Sequence, residues 1–389
     1  MTDSAAPSGS VPSRPTRPGV PPTVTLELFY DLIFVAAVVV LSDSFSHSPT
    51  VSDFGWLAIV FALVWLVWMQ TSLLFNLTEN DGHVRRFFVL AQMMLIVLAA
   101  VSASDGVYEH SEYVGPIYAG ILVLLAGMQW HTQVKNPEMA RYARKRIIAC
   151  LIAAVIFVAT PLYPDPGYLI PWAIGFFVVL APSLKPDPLG GRAIDNEHLV
   201  ERFGAFTIIM LGESFVKTAL TSSEGKMEGF DLLCLAGTFA IVFAIWWLYF
   251  SNVPTAGLRR GHAGHTAWMM THLPLHLCIV GIAVGAAKAI SLPDSESGAH
   301  AIPYLSLPLV GVIVALAALE YLGEQGPSLH ITVLYLVTAA LVLVVGLVAS
   351  VLDPEGIEAT SVVLAVIMAA TVFVAQRIRE RDAAAPIAA

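Results

Sequence analysis

Charge is what this sequence has least of. Of its 389 residues only 13% are charged, against about a quarter in an ordinary soluble domain. Its hydrophobic share is 57%, and its mean hydropathy is +0.75. A larger soluble core does not account for that excess, so the surplus must face lipid. Cysteine is nearly missing too. Cys150, Cys234 and Cys278 all lie inside apolar runs, with no zinc or redox spacing between them. They read as small buried hydrophobes, and no disulfide framework is implied. Phosphate-cradling glycine loops, a nucleophile elbow and a dinucleotide fingerprint are also absent. The formal net charge of −9 comes without a basic stripe interleaved with aromatics, which argues against a nucleic-acid partner. No cofactor and no metal site are implied.

What the sequence does have is a succession of apolar runs of about 20 residues, the length a transmembrane helix needs. Twelve are expected, over about 24–42, 54–77, 86–104, 113–133, 146–162, 168–183, 199–220, 230–251, 267–290, 302–320, 329–351 and 357–376. The sixth is the shortest and is flanked by prolines. Breaker-rich loops such as "SHSPTVSD", "NPEMARYARKR" and "KPDPLGG" separate them. The first 22 residues are rich in Pro, Ser and Gly and lack the apolar core of a signal peptide, so they read as a disordered tail. With the N-terminus placed inside, seventeen of the twenty basic residues fall on the cytoplasmic side, and only Lys217, Lys226 and Lys288 lie toward the other. An even number of spans with both termini cytoplasmic follows. A lipid bilayer is then the first partner.

The two halves of the chain share features six helices apart. Span one begins "LELFYDLIFV" and span seven "VERFGAFTII", matching Glu27 with Glu201 and Phe29 with Phe203. Span two ends with Trp65, Trp68 and Asn76; span eight ends with Trp246, Trp247 and Asn252. Each is followed by a Gly-His pair near two arginines. Six is an even number, so two such halves would share one orientation, as in parallel transporter repeats. The expected fold is therefore all-α and polytopic, with about twelve transmembrane helices in two parallel six-helix repeats. Its parts are a disordered cytoplasmic tail (1–23), a first half (24–183), a cytoplasmic linker (184–198), a second half (199–376) and a second cytoplasmic tail (377–389).

The informative residues are acids inside these runs. Glu27 and Asp31 are four apart and share a helix face. Asp31 is about seven residues into its span, roughly 10 Å deep at 1.5 Å per residue. An acid at the bilayer centre costs about 2.5–3.5 kcal/mol on insertion scales, so Asp31 should face protein or water. Span seven offers Glu201 and Arg202 at one end and Glu213 deep inside, with Lys217 one turn on and Gly212 beside it. Two readings stay open. The acids line a path for a proton, cation or small solute, with Glu27 and Asp31 as an acidic mouth. Or they are tied down, Glu213 by Lys217 and the first pair by Arg85, Arg86 or Arg202, clamping helix one. His272 and His276, at i and i+4 around Pro274, suit hydrogen bonding, a proton relay or a metal. Gly281 and Gly285 form a close-packing GxxxG. "WWLYF", residues 246–250, reads as an interfacial aromatic belt or a cage. "RYARKR", residues 141–146, satisfies topology, with an anionic-lipid contact as an extra.

"LELFYDLIFV" and "ERFGAFTIIMLGESF" together resemble the low-temperature-requirement A (LtrA) family of bacterial membrane proteins. That family carries Glu-Leu-Phe-Phe-Asp-Leu-Val-Phe-Val in the first span and Glu-Arg-Phe-Gly-Leu-Phe-Thr-Ile-Ile-x-Leu-Gly-Glu in the seventh. Tyr30, Ile33 and Ala205 are the mild departures here, and "THLPLH" with His272 is similar as well. The resemblance covers residues 24–376 and implies a polytopic membrane protein without an established chemistry. A two-repeat potassium channel family, with Phe-Ser-Asp in the first helix of each repeat, is similar to Phe29-Tyr30-Asp31; Ala205 stands where its second acid would be.

The leading expectation is passage of a small solute or ion, with Glu27, Asp31, Glu201, Glu213 and His272 as the polar path. Tyr30, Arg202, Gly212, Lys217, Asn76, Trp247 and His276 would support it. The alternatives are an intramembrane enzyme acting on a lipid or isoprenoid, or a two-repeat cation channel. A homo-oligomer is compatible with any of them.

Overall fold

The computed structural model describes residues 22–47, 51–78, 82–104, 111–163, 166–184, 194–224, 229–253, 262–291, 301–323, 328–352 and 356–384. Within them the chain forms twelve α-helices. The first six are α1 (Pro22–His47), α2 (Val51–Leu77), α3 (His83–Ala103), α4 (Ser111–Lys135), α5 (Ala140–Val158) and α6 (Leu169–Leu180). The second six are α7 (Asn196–Glu224), α8 (Gly229–Asn252), α9 (His262–Ser291), α10 (Ala301–Tyr321), α11 (Leu329–Leu352) and α12 (Ile357–Ala384). Helix α12 runs on to Ala384, so residues expected to begin the C-terminal tail continue the last helix. Most of the expected N-terminal tail, residues 185–193 of the linker and residues 385–389 lie outside the described residues. So do Lys226, Arg259, Arg260 and Gly261.

Ten helices are long and apolar enough to cross a bilayer. The other two depart for identifiable reasons. Helix α5 opens with Arg141, Arg144, Lys145 and Arg146. Helix α6 has 12 residues, about 18 Å of rise, short of the roughly 30 Å hydrocarbon core. The surface is inverted relative to a soluble protein. Helix α11 exposes Val333, Leu336, Leu341, Val344, Leu347 and Val351, while Asp31, Gln92, His272 and His276 are fully enclosed. Apolar stripes outside and polar groups inside mark a polytopic membrane protein.

The packing order recurs. In the first six helices α1 lies on α3, α3 on α4, α4 on α5 and α5 on α6. In the second six α7 lies on α9, α9 on α10, α10 on α11 and α11 on α12. The halves differ at their last members: α12 lies along α8, with Gly237 backed against Ser361, whereas α6 touches α2 only slightly. The GxxxG of α9 does pack closely, because a side chain at Gly281 would strike Pro308 and one at Gly285 the Tyr304 carbonyl. The halves meet where α1 and α2 pack against α7 and α9. Trp65 and Trp68 of α2 are fully buried there.

Side-chain contacts fix the polarity of much of the bundle. Arg85 of α3 lies beside Glu27 of α1, Arg202 of α7 meets Asp31 of α1, and Asn76 of α2 meets Asp195 before α7. Ser183 after α6 is reached by Gln70 of α2, Arg146 of α5 and Thr266 of α9. Helices α1, α3, α5, α7 and α9 therefore start, and α2 and α6 finish, at one common end, and α10 and α12 finish beside each other through Glu320 and Arg379. Among the described residues the arginines gather within about two turns of that end, and Lys217 lies toward the opposite one. We call it the charged end.

Candidate functional site

At the charged end the two acids of α1 are held rather than free. Asp31 is fully buried. Arg202 of α7 donates from Nη1 to its Oδ2 at 2.8 Å, and Nη2 lies 2.8 Å from Oδ1. Trp68 of α2 donates its indole N–H to Oδ1 at 2.7 Å. The planar guanidinium fork matches the carboxylate, and together with the indole it replaces the water Asp31 has lost. Arg202 also points Nε at Ser72 Oγ, 3.4 Å away. One turn nearer the surface, Glu27 Oε2 is 3.3 Å from His198 Nε2 and 3.9 Å from Arg202 Nη1, while Oε1 is 3.9 Å from Arg85 Nη2. Arg85 donates to the Thr78 carbonyl at 3.0 Å and lies over the Phe75 ring. Asn76 grips the start of α7 with both ends of its amide, donating to the Asp195 carbonyl at 2.7 Å and accepting the Asp195 N–H at 3.0 Å. Four helices, α1, α2, α3 and α7, are thus tied at one point.

Deeper in, aromatic rings close around two histidines. Trp68 stacks on Phe206 with centroids 4.1 Å apart, and Phe34 meets the same Phe206 edge-on at 5.1 Å. Phe203 covers His272 and Phe206 covers His276, each at 4.8 Å. The partners fix both tautomers, since an indole N–H only donates and a carbonyl only accepts. Trp65 donates to His276 Nδ1 at 3.0 Å, so Nε2 carries the proton and donates to Thr207 Oγ1 at 2.9 Å. Thr207 passes its own proton to the Phe203 carbonyl at 2.8 Å. His272 Nδ1 donates to the Trp268 carbonyl at 2.9 Å, and Nε2 accepts from Tyr249 at 3.0 Å. Both nitrogens of each ring are engaged. A second proton on His276 would set an N–H against the Trp65 N–H.

Toward the far end α7 turns polar again. Ser214 Oγ donates to the Met210 carbonyl at 3.2 Å and lies 3.5 Å from the Ile279 carbonyl of α9. Lys217 Nζ donates to Ser42 Oγ at 3.1 Å and is 3.7 Å from Asp43 Oδ1, both on α1. Lysine 217 therefore reaches across to α1, where the sequence pattern offered Glu213 on its own helix. Glu213 is half-buried, and its Oε1 is enclosed without a hydrogen-bond partner among the described residues. Gly212 beside it is exposed, with open space where a side chain would stand. The pairs Asp31–Arg202 and Asp43–Lys217 occur in the same order along both helices, so α1 and α7 run parallel.

The structure thus gathers Glu27, Asp31 and Arg202 with Asn76 and the fully buried Tyr30. Glu201 faces outward on α7, away from them. Trp247 packs on Phe243 and Trp246, and Tyr249 is the member of "WWLYF" that reaches a histidine. Trp65, Trp68, Ser72, His198, Thr207, Ser42 and Asp43 join the site without having been expected in it. Of these, His198 carried a signal, since it lies four residues before Arg202 and shares its face of α7.

A family model described as bacterial low temperature requirement A protein (LtrA) matches residues 23–374 of the chain. The chain is also similar to the uncharacterized protein RA0937 of Rhizobium meliloti (strain 1021), with 24% identity over 351 residues and 82% of each chain covered.

Proposed function

The chain belongs to the bacterial low temperature requirement A family, and we propose that it moves a proton, cation or small solute across the bacterial cytoplasmic membrane along the seam between α1, α7 and α9. One observation carries the reading. Polar side chains of α7 at four successive levels, Arg202, Thr207, Ser214 and Lys217, each meet a group on α1 or α9. The fifteen residues they span rise about 22 Å, most of the roughly 30 Å hydrocarbon thickness. Glu27 and Asp31 stand at one mouth, and Glu213 with Asp43 at the other. The rings of Phe34, Trp68, Phe203 and Phe206 close the middle, so this conformation is shut. An intramembrane enzyme would need its carboxylates open to one leaflet, and the enclosure of Asp31 favours a path over such a site.

In this reading the two halves are parallel repeats hinged on that seam. The recurring packing order and the parallel run of α1 and α7 support it, as do the Glu27/Glu201 and Phe29/Phe203 matches. The arginines at the charged end support a cytoplasmic position for both termini. The test is reconstitution in liposomes with pH- and cation-sensitive dyes. Flux above protein-free vesicles is expected, and Glu213→Gln should abolish it while the melting temperature hardly moves. Folded, reconstituted protein that carries none of a panel of protons, monovalent cations and small organic solutes would overturn the reading. So would a flux indifferent to Glu213→Gln.

A further inference from the structure

The start of α5 carries a charge arrangement that the seam does not use. Arg141, Arg144, Lys145 and Arg146 fall in the first two turns of the helix; its first turn holds no acid, and Glu138 lies in the 3-10 turn just before it. A helix N-terminus is the positive end of the macrodipole, so cations gathered there are disfavoured. Arg146 turns inward, buried, with its guanidinium 3.7 Å over the Tyr142 ring and Nη2 3.4 Å from Ser183 Oγ. Arg141, Arg144 and Lys145 turn outward and are exposed. Ile148, Leu151, Ile152 and Val155 are exposed beyond them. Positions 141, 145, 148, 152 and 155 follow the i, i+4, i+7, i+11, i+14 order of one helix face, and 144 and 151 flank it. A single outward stripe therefore passes from three cations to four apolar side chains. Topology alone needs basic residues somewhere in this loop. It does not need them continuous with a lipid-facing stripe, at the helix end that repels them.

We propose that this stripe binds an anionic phospholipid. The headgroup phosphate sits on Arg141, Arg144 and Lys145, and an acyl chain lies along Ile148, Leu151, Ile152 and Val155. Arginine forks suit a phosphate, and the bound anion offsets both the clustered cations and the helix dipole. The inference does not depend on transport.

Full-length protein in detergent is incubated with phosphatidylglycerol or phosphatidylcholine of equal chain length, and retained lipid is read by native mass spectrometry. Preferential retention of phosphatidylglycerol is expected. Each cation near an anionic surface strengthens attraction roughly fivefold, so R141Q/R144Q/K145Q should lower that preference by about a hundredfold. R377Q/R381Q, which removes exposed charge from the end of α12, should leave it unchanged. Equal retention of the two lipids by the unmodified protein overturns the proposal, and so does a preference that survives the triple substitution. Inorganic phosphate retained as well as the lipid would assign the cations to a soluble anion and also overturns it. If the triple variant does not fold, R144Q alone and the lipid comparison on the unmodified protein decide.

Discussion

Helices α1 and α7 are joined twice, and the two joints are built differently. At the charged end Asp31 and Arg202 are both buried and meet through two oxygens and two nitrogens, and Asp31 has a further partner in Trp68. At the far end Lys217 is buried but the Asp43 side chain is 66% exposed, and a single 3.7 Å approach joins them. The first joint has nowhere to dissolve to, because breaking it strands a charge inside protein. The second can hand Asp43 to water, where most of its side chain already lies. Under the proposed transport reading the far end is the one that would part readily, and the charged end the one that would need a driving event.

The sharpest way to break that comparison is Asp31→Asn. It keeps the shape and leaves buried Arg202 with Glu27, 3.9 Å away, as its remaining counter-charge, a loss of up to about 3–5 kcal/mol for a buried pair. Arg202→Met should destabilise to a similar degree by stranding Asp31. The double variant should unfold later than the sum of the two predicts, since neither charge is then orphaned. Thermal or denaturant unfolding in detergent measures all three. If Asp31→Asn melts like the unmodified protein, the joint is not a clamp, and the acidic-mouth reading of Asp31 gains instead.

How much of this was legible in the sequence follows from which contacts are local. The twelve helices came from apolar run length and breakers, both local properties, and the weakness of α6 showed in its length. That Asp31 must face protein followed from the cost of an acid in lipid, and Arg202 was among its named partners because both sit near the same helix end. Trp68, 37 positions from Asp31, and Trp65, 211 positions from His276, were not legible as donors. Their contacts depend on which helices become neighbours, and spacing within one helix does not encode that. Lysine 217 shows the same limit. Its i, i+4 relation to Glu213 was real, but Ser42 and Asp43 arrive at the same level on α1. Glu201 has the acidic character of a site residue and the wrong helix face.

A middle-sized effect tests why the charged end is the tighter joint. Trp68→Phe keeps the ring stacked on Phe206 and removes one donor to a buried carboxylate. Hydrogen bonds to charged groups contribute about 1.5–3 kcal/mol, so the variant should fall between the unmodified protein and Asp31→Asn. In the Asp31→Asn background the same substitution should matter less, because the acceptor is no longer charged. Equal losses in both backgrounds would assign the effect of Trp68 to packing alone.

The smallest effect belongs to the far end. Lys217→Met keeps the apolar stem that packs between α1 and α7 and removes the ammonium. Its charged partner Asp43 is largely in solvent, so the lost attraction is that of a surface pair, about 0.2–1 kcal/mol, beside the hydrogen bond to Ser42. Asp43→Asn should cost no more than that. Salt separates the two joints independently of mutation. Raising ionic strength from 0.1 to 1 M shortens the screening length from about 10 to 3 Å. That should erase the difference between Lys217→Met and the unmodified protein while leaving the Asp31→Asn deficit in place, because solvent ions do not enter the Asp31–Arg202 contact. The measurement is the melting temperature of the three proteins across that salt range. A Lys217→Met loss as large as that of Asp31→Asn, or one that persists at high salt, would make the two ends equally sealed, and the far end could no longer be the side of the seam that opens first.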